Sequence, residues 1–378
     1  MKRILFTEGI ETYRLPNYVN PKARKIICAT LAKYFEEIQA TKEFEIYFAV
    51  SEKINNSFKE QCGKFEGIIL CDGIDKKLDF NKNIKILKEL LKDVSPDVIV
   101  TTNIDGFCTI ASLTALYEKT RKLVIWQDRN THHYLLKIVL KLLYPSLKRK
   151  IKVIAARNFT NYKEIIEILN LKPKLIPIGI DTEIYKLKTL NRNIDLLYVG
   201  RLSYEKGFDI FVKILKKLDS KIDKILNVLI ITNGGPLEYL LNDLRFNKIN
   251  IFVKKNIPWY KMSEYYSKCK ILINTSRSEV FGQAMVEALA CGCHVIATKT
   301  AGSSLIRYYV GGAMEIINND NNLNLYLDLI NKKLENFEIN KAGRTSILKH
   351  LSGYAMAKKW LAIFKSLFDV DKKVFANK

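Results

Sequence analysis

Short apolar runs that alternate with longer amphipathic stretches constrain this sequence most. Consecutive apolar residues are typical of parallel strands buried on both faces, and the amphipathic stretches between them suit crossover helices. The sequence therefore predicts an α/β protein built from repeated βα units. Strands are predicted at 3–8, 44–50, 67–71, 97–102, 123–127, 152–156 and 174–178, and in a second series at 195–200, 226–232, 250–255, 270–276 and 294–298.

The length and the two series of strands predict two domains. A chain of 378 residues exceeds the usual size of one hydrophobic core. The polar, basic segment 184–193 is the predicted linker, which gives Rossmann-like domains at 1–185 and 186–353. Helices are expected between the strands, notably over 22–40 and 107–119. Parallel sheets bind ligands beyond the carboxyl ends of their strands, so a cleft between the domains is the expected site.

Composition excludes several classes of protein. Hydrophobic residues at 48% and charged residues at 27% are ordinary for a soluble protein, and no segment has the roughly 18 uncharged apolar residues of a transmembrane helix. The first apolar run is too short for a signal peptide. Seven cysteines without C-x-x-C spacing are expected to be reduced core residues. We therefore expect a cytoplasmic protein.

The formal net charge of +23 predicts attraction to phosphate-bearing surfaces, although a general surplus of surface lysine explains it as well. Residues 129–157 contain no acidic side chain. A basic amphipathic helix there could rest peripherally on the anionic inner face of the cell membrane; the alternative is a core helix with a solvated lysine edge. Nucleic acid is not an expected partner, because no known binding motif accompanies the charge.

The loop VGRLSYEKGFD, residues 199–209, follows the first strand of the second series. Gly200 and Gly207 allow a tight turn and a close backbone approach. Arg201 and Lys206 place two cations at the strand end, where a following helix N-terminus also favours anions. This combination suits a pyrophosphate, although a solvated basic loop is the plain alternative.

A second loop, TNGGPLEYL at 232–240, again follows a strand and is predicted to open a helix. Gly235 lies at the junction, followed by a proline, which is common at a first helical turn. Taken alone, this loop is weak evidence for a binding site, because glycine and proline also serve purely structural turns.

The stretch SEVFGQAMVEALACG, residues 278–292, places Glu279 and Glu287 around a strong helix-forming run. The helix is predicted to begin near Gly282. If the whole segment were helical, the carboxylates would be separated by about 12 Å of rise, which is about the reach of a nucleoside diphosphate sugar. The amides of residues 281–283 would present the positive end of the helix dipole to phosphate. The alternative is a capped helix with two surface charges.

Together and in this order, the three loops resemble the retaining glycosyltransferases of family 4. VGRLSYEKG looks like that family's diphosphate-binding loop, TNGGP like its Gly-x-Gly-Pro turn, and the glutamates like its signature pair with seven residues between. The resemblance covers nearly all of 194–318 and extends to 177–185 and 95–100. It implies the GT-B fold, two Rossmann-like domains facing each other across a cleft, with a last helix over 354–378 that crosses back to the first domain.

The resemblance also implies a hexosyltransferase that moves a sugar, with retention and without metal or cofactor, from a nucleoside diphosphate sugar to a glycan, lipid or other acceptor. Arg201 and Lys206 would hold the diphosphate, Glu279 would contact the sugar, and Glu287 would bind the ribose. The first three are the predicted catalytic residues. The predicted donor-binding residues are Gly9, Gly200, Gly235, Lys254, Val280, Phe281, Gly282, Gln283 and Glu287.

The first domain departs from the family pattern. Many members have a glycine pair after the first strand, where this chain has only Gly9. The family often has a histidine after the strand that corresponds to LVIWQ, and this chain has Gln127 and Asp128 there. Gln127 could still contact the sugar, and His132 and His133 lie near enough in sequence to substitute; a surface or capping role is the alternative.

In the second domain, AGSSL at 301–305 stands where the family frequently has a Gly-Gly-x-x-Glu turn. That region can influence the choice of donor. These departures leave two alternative functions: a GT-B enzyme that acts on a polysaccharide or sugar phosphate, and a catalytically inactive protein that binds nucleotide sugars.

Overall fold

The computed structural model describes residues 1–9, 27–71, 80–102, 122–127, 151–318 and 322–375. The chain divides into two compact units, one formed by Met1–Gly179 with Gly353–Lys378 and the other by Ile180–Ser352. The sequence placed the corresponding boundaries at residues 185 and 353. The predicted helix over 107–119 lies outside the described residues.

The first unit contains a seven-stranded sheet with the order β3-β2-β1-β4-β5-β6-β7, and its neighbouring strands pair in parallel. Buried aliphatic residues of the strands and helices form its core. Every strand predicted for this half is present, although the last is only two residues long. The elements are β1 (Lys2–Gly9), α1 (Ile27–Glu37), β2 (Phe44–Ser51), α2 (Glu52–Gln61), β3 (Ile68–Cys71), α3 (Phe80–Val94), β4 (Val98–Thr102), β5 (Lys122–Gln127), β6 (Ile151–Ala156), α4 (Phe159–Leu169) and β7 (Lys174–Leu175).

The second unit contains a six-stranded parallel sheet with the order β10-β9-β8-β11-β12-β13. The three-residue edge strand β13 was not predicted, because so short a run carries no periodic signal. The elements are β8 (Ile194–Val199), α5 (Phe208–Asp219), β9 (Leu226–Thr232), β10 (Ile249–Lys255), α6 (Met262–Lys268), β11 (Cys269–Asn274), α7 (Gln283–Ala290), β12 (His294–Thr298), α8 (Ala301–Val310), β13 (Glu315–Ile317), α9 (Leu323–Glu335) and α10 (Lys341–His350).

The strand order of the second unit reverses at β8. The chain passes from β8 to β9 and β10 on one side of the sheet and then returns to β11 on the other side. The loops that leave the carboxyl ends of β8 and β11 therefore diverge, and in sheets of this kind the crevice between such loops receives ligands. Two of the three loops singled out in the sequence follow these two strands.

The final helix, α11 (Gly353–Phe375), packs on α1 in the first unit. Trp360 makes edge contacts with Trp126 of β5 and Phe6 of β1, at ring-centroid distances of 5.3 and 5.6 Å. All three rings are buried. Buried aromatic pairs with this geometry add to the stability that their apolar area provides, so the end of the chain helps to build the core of the first unit.

The prediction that 184–193 is a linker is wrong. Tyr185 is fully buried, and the buried guanidinium of Arg192 donates hydrogen bonds to the carbonyl oxygens of Cys269 and Cys291. A basic composition suggested solvent exposure, but backbone carbonyl oxygens of the second unit accept the hydrogen bonds of the buried Arg192 guanidinium. The segment is therefore part of that unit.

Five cysteine side chains that the structure describes are buried, as predicted: Cys28, Cys62, Cys269, Cys291 and Cys293. Burial raises the pKa of the Cys293 thiol to about 11, so this group stays protonated at neutral pH. Among the described helices, none is both long enough and apolar enough to cross a membrane.

Candidate functional site

Lys206 and Glu279 meet beyond the carboxyl ends of β8 and β11. The Lys206 Nζ atom donates a hydrogen bond to Glu279 Oε2 at 2.6 Å, although the two residues are 73 positions apart. Their side chains are 22% and 19% exposed, so both groups remain accessible from solvent. The fold thus brings two of the predicted catalytic residues into direct contact at the point where the strand order reverses.

The loop after β8 is fixed by close contact with the loop after β11. Gly207 has a φ of +65°, and a Cβ atom there would lie 1.8 Å from the Thr275 carbonyl oxygen. The Thr275 hydroxyl donates to the Gly207 carbonyl at 2.8 Å. Only glycine allows this approach, because any side chain would overlap the neighbouring backbone.

Arg201 lies at the exposed end of the same loop. Its guanidinium pairs with Glu205 at 3.0 Å, and its carbonyl accepts a hydrogen bond from the Tyr198 hydroxyl at 2.9 Å. Burial raises the pKa of Tyr198, which keeps this phenol protonated as a donor. An exposed pair such as that of Arg201 contributes little stability, so an anion can replace Glu205 at small cost.

Arg277 and Asp209 join the two loops, and the sequence analysis did not single them out. Arg277 forms a two-pronged ion pair with Asp209 at 2.7 and 2.9 Å and donates to the Tyr204 carbonyl at 2.7 Å. Its guanidinium stacks 3.6 Å from the centre of the Tyr204 ring. Burial tends to raise the pKa of the Asp209 carboxyl, but the hydrogen bonds and charge of Arg277 outweigh it, and the pKa lies below its usual value.

The TNGGP loop rests on the loop after β8. Leu202 donates from its backbone to the Gly234 carbonyl at 3.0 Å and accepts from Leu237 at 2.8 Å. A Cβ atom at Gly235 would lie 2.5 Å from the Leu202 carbonyl oxygen. The sequence predicted a helix after this loop, and the structure contains only a short 3-10 helix at Glu238–Asp243. The TNGGP loop therefore packs against the loop after β8 and does not open a second α-helix.

Two other predicted donor-binding residues, Gly200 and Lys254, lie at different places in this sheet. Gly200 directly follows β8, and its amide donates to the Ile231 carbonyl at 3.1 Å. Lys254 is exposed on the edge strand β10, which β9 separates from β8. Gly200 thus belongs to the cluster of loops, and Lys254 lies at the edge of the sheet.

Helix α7 begins at Gln283, four residues after Glu279, so Glu279 lies in the preceding loop as the sequence predicted. Gly282 caps the helix, Phe281 is buried, and Val280 is exposed. The amide of Gly302 in α8 donates to the Glu279 carbonyl at 2.8 Å, and a Cβ atom at Gly302 would lie 2.6 Å from the Phe281 carbonyl group. The AGSSL stretch therefore supports the loop that carries Glu279, a role that the sequence analysis did not find.

Gln283 and Glu287 follow one another along α7 at the i, i+4 spacing that places both on one face. Within the described part of the chain, the Gln283 side-chain nitrogen is buried without a hydrogen-bond partner. An unsatisfied buried donor is costly, so this nitrogen is suited to meet a ligand oxygen. Glu287 is only 7% exposed.

Two buried phenols contact Glu287. The Tyr266 hydroxyl donates to Glu287 Oε2 at 3.1 Å. Tyr185 lies close enough to feel the charge of this carboxylate, and its single hydroxyl proton is donated to the Trp259 carbonyl at 3.1 Å. Burial, together with the nearby Glu287 charge, raises the pKa of both tyrosines well above the ordinary value. Tyr266 thus orients the carboxylate as a neutral donor, and the carboxylate keeps other lone pairs for a ligand hydroxyl.

The predicted first-domain residues belong to the other unit. Gly9 is the last residue of β1, and Gln127 is the last residue of β5. Gln127 is buried, and its carbonyl accepts from the Arg157 amide at 3.1 Å. Asp128, His132, His133 and most of the basic segment 129–157 lie outside the described residues.

The cluster in the second unit combines cations with the N-terminus of α7, which suits an anionic ligand. An ammonium has three N–H donors, so Lys206 can keep its bond to Glu279 and still donate to a phosphate oxygen. In the ranges that the structure describes, no group of three His, Cys, Asp or Glu side chains is arranged to hold a metal ion.

Comparisons with known proteins point to one family. Residues 180–336 match the family model described as glycosyl transferases group 1. A D-inositol 3-phosphate glycosyltransferase of Catenulispora acidiphila is 25% identical over 189 residues, which are 46% of this chain and 44% of that protein. An N-acetylgalactosaminyltransferase of Campylobacter jejuni, whose name specifies a diphospho-undecaprenol-linked acceptor, is 25% identical over 220 residues, 54% of this chain and 57% of that protein.

The chain therefore spans about half the length of these curated relatives. The likeness to solved structures extends over almost the whole chain. The crystal structure of HepE from Anabaena, in complex with UDP, superposes with a TM-score of 0.71 at 14% identity and covers 97% of this chain and 100% of that one. Residues 180–336 are thus similar to the glycosyl transferases group 1 domain, and the superposition shows that the chain has the GT-B fold, as the three loops of the sequence predicted.

Proposed function

We propose that this protein is a retaining glycosyltransferase that transfers a sugar from a nucleoside diphosphate sugar without a divalent metal. The observation that carries the proposal is the 2.6 Å contact between Lys206 and Glu279 beside the N-terminus of α7. It joins a cation for phosphate to a carboxylate for sugar hydroxyls, at the strand ends where such folds bind nucleotides. UDP bound to the Anabaena protein supports the same class of donor.

In this proposal, Arg201 and Lys206 bind the diphosphate. Their charges stabilise the negative charge that develops on the phosphate oxygens when the bond to the sugar breaks. The amides of Phe281 and Gly282 and the side-chain nitrogen of Gln283 add donors that need no reorganisation during the reaction. These fixed charges and dipoles take the place of a metal ion, which is the basis for the proposed metal independence.

Glu279 and Glu287 hold the two ends of the donor. Glu279 accepts hydrogen bonds from hydroxyls of the transferred sugar while Lys206 keeps its carboxylate in place. Glu287 accepts from the ribose hydroxyls. The donor therefore has an anchor on each side of the diphosphate, which aligns the anomeric carbon for attack.

Retention follows if the acceptor attacks the face from which the diphosphate departs. The bond between the anomeric carbon and the acceptor oxygen forms as the bond to the diphosphate oxygen breaks. The bonding electron pair leaves with the diphosphate, and a phosphate oxygen takes the acceptor's proton. This step requires no general base from the protein.

The acceptor is proposed to be a glycan or a lipid-linked molecule. Support comes from the name of the Campylobacter relative, which specifies an undecaprenol-linked acceptor, and from the absence of acidic residues in 129–157. A polyisoprenyl diphosphate would bring the protein to the cytoplasmic face of the membrane. Flotation with anionic vesicles at low salt tests this part: the protein should float with them and remain at the bottom with neutral vesicles. No flotation with either would remove the membrane proposal.

The activity is tested with a panel of UDP, GDP and ADP sugars in the presence of EDTA. Slow donor hydrolysis releases the nucleoside diphosphate even without the natural acceptor, and NMR gives the anomeric configuration of the first product. Lys206→Ala and Glu279→Ala should each abolish turnover. Lys268→Ala, which breaks the exposed pair with Glu264 at 2.8 Å, is the matched control and should retain it.

Two results would contradict the proposal. Donor binding without turnover by the unaltered protein would favour the inactive nucleotide-sugar-binding protein, an alternative raised by Gln127. Full activity of Lys206→Ala and Glu279→Ala would show that the site lies elsewhere.

A further inference from the structure

We propose that Arg277 and Asp209 form a positioning pair that holds the loop after β8 in the conformation needed to bind a diphosphate. This inference rests on the proposed function, because it concerns the same site. Neither residue contacts the donor in the proposed arrangement. They act through the loop that carries Arg201 and Lys206.

The contacts of Arg277 hold the end of that loop and the first turn of α5, which follows it. Its guanidinium bonds both carboxylate oxygens of Asp209 and the Tyr204 carbonyl, and its backbone amide donates to the Glu205 carbonyl at 2.9 Å. The loop residues 204 and 205 are thereby fixed immediately before Lys206. Since Arg277 itself lies two residues before Glu279, its side chain and the Gly207–Thr275 contact together hold the two loops against each other.

The pair is stronger than an ordinary surface contact. The Arg277 and Asp209 side chains are 23% and 21% exposed, and the planar fork matches both carboxylate oxygens. The guanidinium also stacks on Tyr204, a ring that is 65% exposed and so contributes little to the core. An exposed aromatic side chain under a guanidinium is better explained by orientation of the loop than by burial of apolar area.

The same two strands carry a second ion pair at their opposite ends. Lys270, near the start of β11, bonds Asp195, near the start of β8, at 2.7 Å. This pair joins the same pair of strands but lies far along them from the loops. It supplies a matched control, because its loss should lower stability without changing the carboxyl-end loops.

The variant Asp209→Asn distinguishes an effect of positioning from an effect of charge, because the two effects change the affinity for an anion in opposite directions. The substitution removes a negative charge close to the proposed diphosphate site, so electrostatics alone would strengthen the binding of an anion. Loss of positioning would weaken it, because the amide side chain cannot hold both prongs of the guanidinium. Arg277→Lys gives a second test, since it keeps the positive charge and loses the fork and the stacking.

The experiment measures dissociation constants by calorimetry for UDP and for inorganic pyrophosphate, which needs no particular base. Each variant is also melted to measure its stability. Asp209→Asn and Arg277→Lys should each weaken both ligands by about tenfold, the scale expected for a small displacement of binding groups. Asp195→Asn should lower the melting temperature and leave both dissociation constants within about twofold of the unaltered protein.

The outcomes are distinguishable. If the unaltered protein binds the ligands and Asp209→Asn binds them equally or more tightly, the positioning pair is refuted and the proposed function stands. If Asp195→Asn weakens binding as much as Asp209→Asn, the effect is one of general stability, and the inference also fails. If the unaltered protein binds neither pyrophosphate nor any of UDP, GDP and ADP, the proposed function fails, and the inference fails with it.

Discussion

The hydroxyl of Tyr266 offers the sharpest test of how the second unit prepares Glu287 for a ligand. It donates to Glu287 Oε2 at 3.1 Å, and both residues are buried. Tyr266→Phe removes this donor with almost no change in shape. A hydrogen bond to a charged group contributes about 1.5–3 kcal/mol, so the free energy of unfolding should fall by that amount.

The expected change in melting temperature follows from this loss of free energy and the size of the domain. For a domain of 150–250 residues each kcal/mol shifts the midpoint by about 2–4 °C, so Tyr266→Phe should melt about 3–12 °C lower. Tyr47→Phe is the matched control. The Tyr47 hydroxyl donates a hydrogen bond to Glu45 at 3.2 Å, but this carboxylate is partly exposed. Loss of that hydrogen bond should therefore shift the melting midpoint much less.

The ligand measurement distinguishes a functional role from a structural one. If Glu287 accepts a hydrogen bond from the ribose, the unaltered protein should bind UDP at least about ten times more tightly than 2′-deoxy-UDP. The deoxy ligand lacks a hydroxyl and so loses one hydrogen bond to a charged group. Tyr266→Phe frees the carboxylate to rotate, so this ratio should shrink by about threefold or more. A Tyr266→Phe variant that melts lower and keeps the full ratio would refute the idea that Tyr266 orients Glu287 toward ribose.

Three further predictions concern the loops and pH. Gly207→Ala should destabilise the second unit by about 2–4 kcal/mol and abolish turnover, since the added Cβ would overlap the Thr275 carbonyl at a φ of +65°. Denaturant unfolding would measure the loss of stability, and an unchanged unfolding midpoint would contradict the close approach of the two loops. Gly302→Ala should lower the free energy of unfolding by about 1–3 kcal/mol and weaken the binding of pyrophosphate, because it displaces the backbone at Phe281. Unaltered binding would show that α8 does not support the loop that carries Glu279. The stability that the buried phenols contribute should be fully present below pH 10 and should be lost as the pH rises above it. The reason is that the pKa values of Tyr198 and the two other buried phenols are raised in the folded state, while unfolded tyrosines ionise near 10.0. Melting at pH 9 and 11 checks this, and the melting temperature of Tyr266→Phe should fall less between these two pH values.

The sequence determined the strands, the loops and the start of α7. Alternating apolar runs are visible in the chain because buried parallel strands are continuous hydrophobic segments. The beginning of α7 at Gln283 was predictable for a local reason too, since a glycine precedes a run of strong helix formers. Local signals failed where they were weak or shared with other structures: the short strand β13, the 3-10 helix after TNGGP, and the basic segment at 184–193 that is packed into its unit.

The tertiary structure alone decided which side chains meet. Lys206 and Glu279 are 73 residues apart, and Arg277 and Asp209 are 68 residues apart. These pairs form because the strand order places β11 beside β8, a choice that no local pattern records. The phenol of Tyr266 beneath Glu287 depends in the same way on the packing of α6 against α7. Residue types and spacing could therefore nominate the two carboxylates and the two cations, whereas the partners that hold them in place depend on contacts between distant segments of the chain.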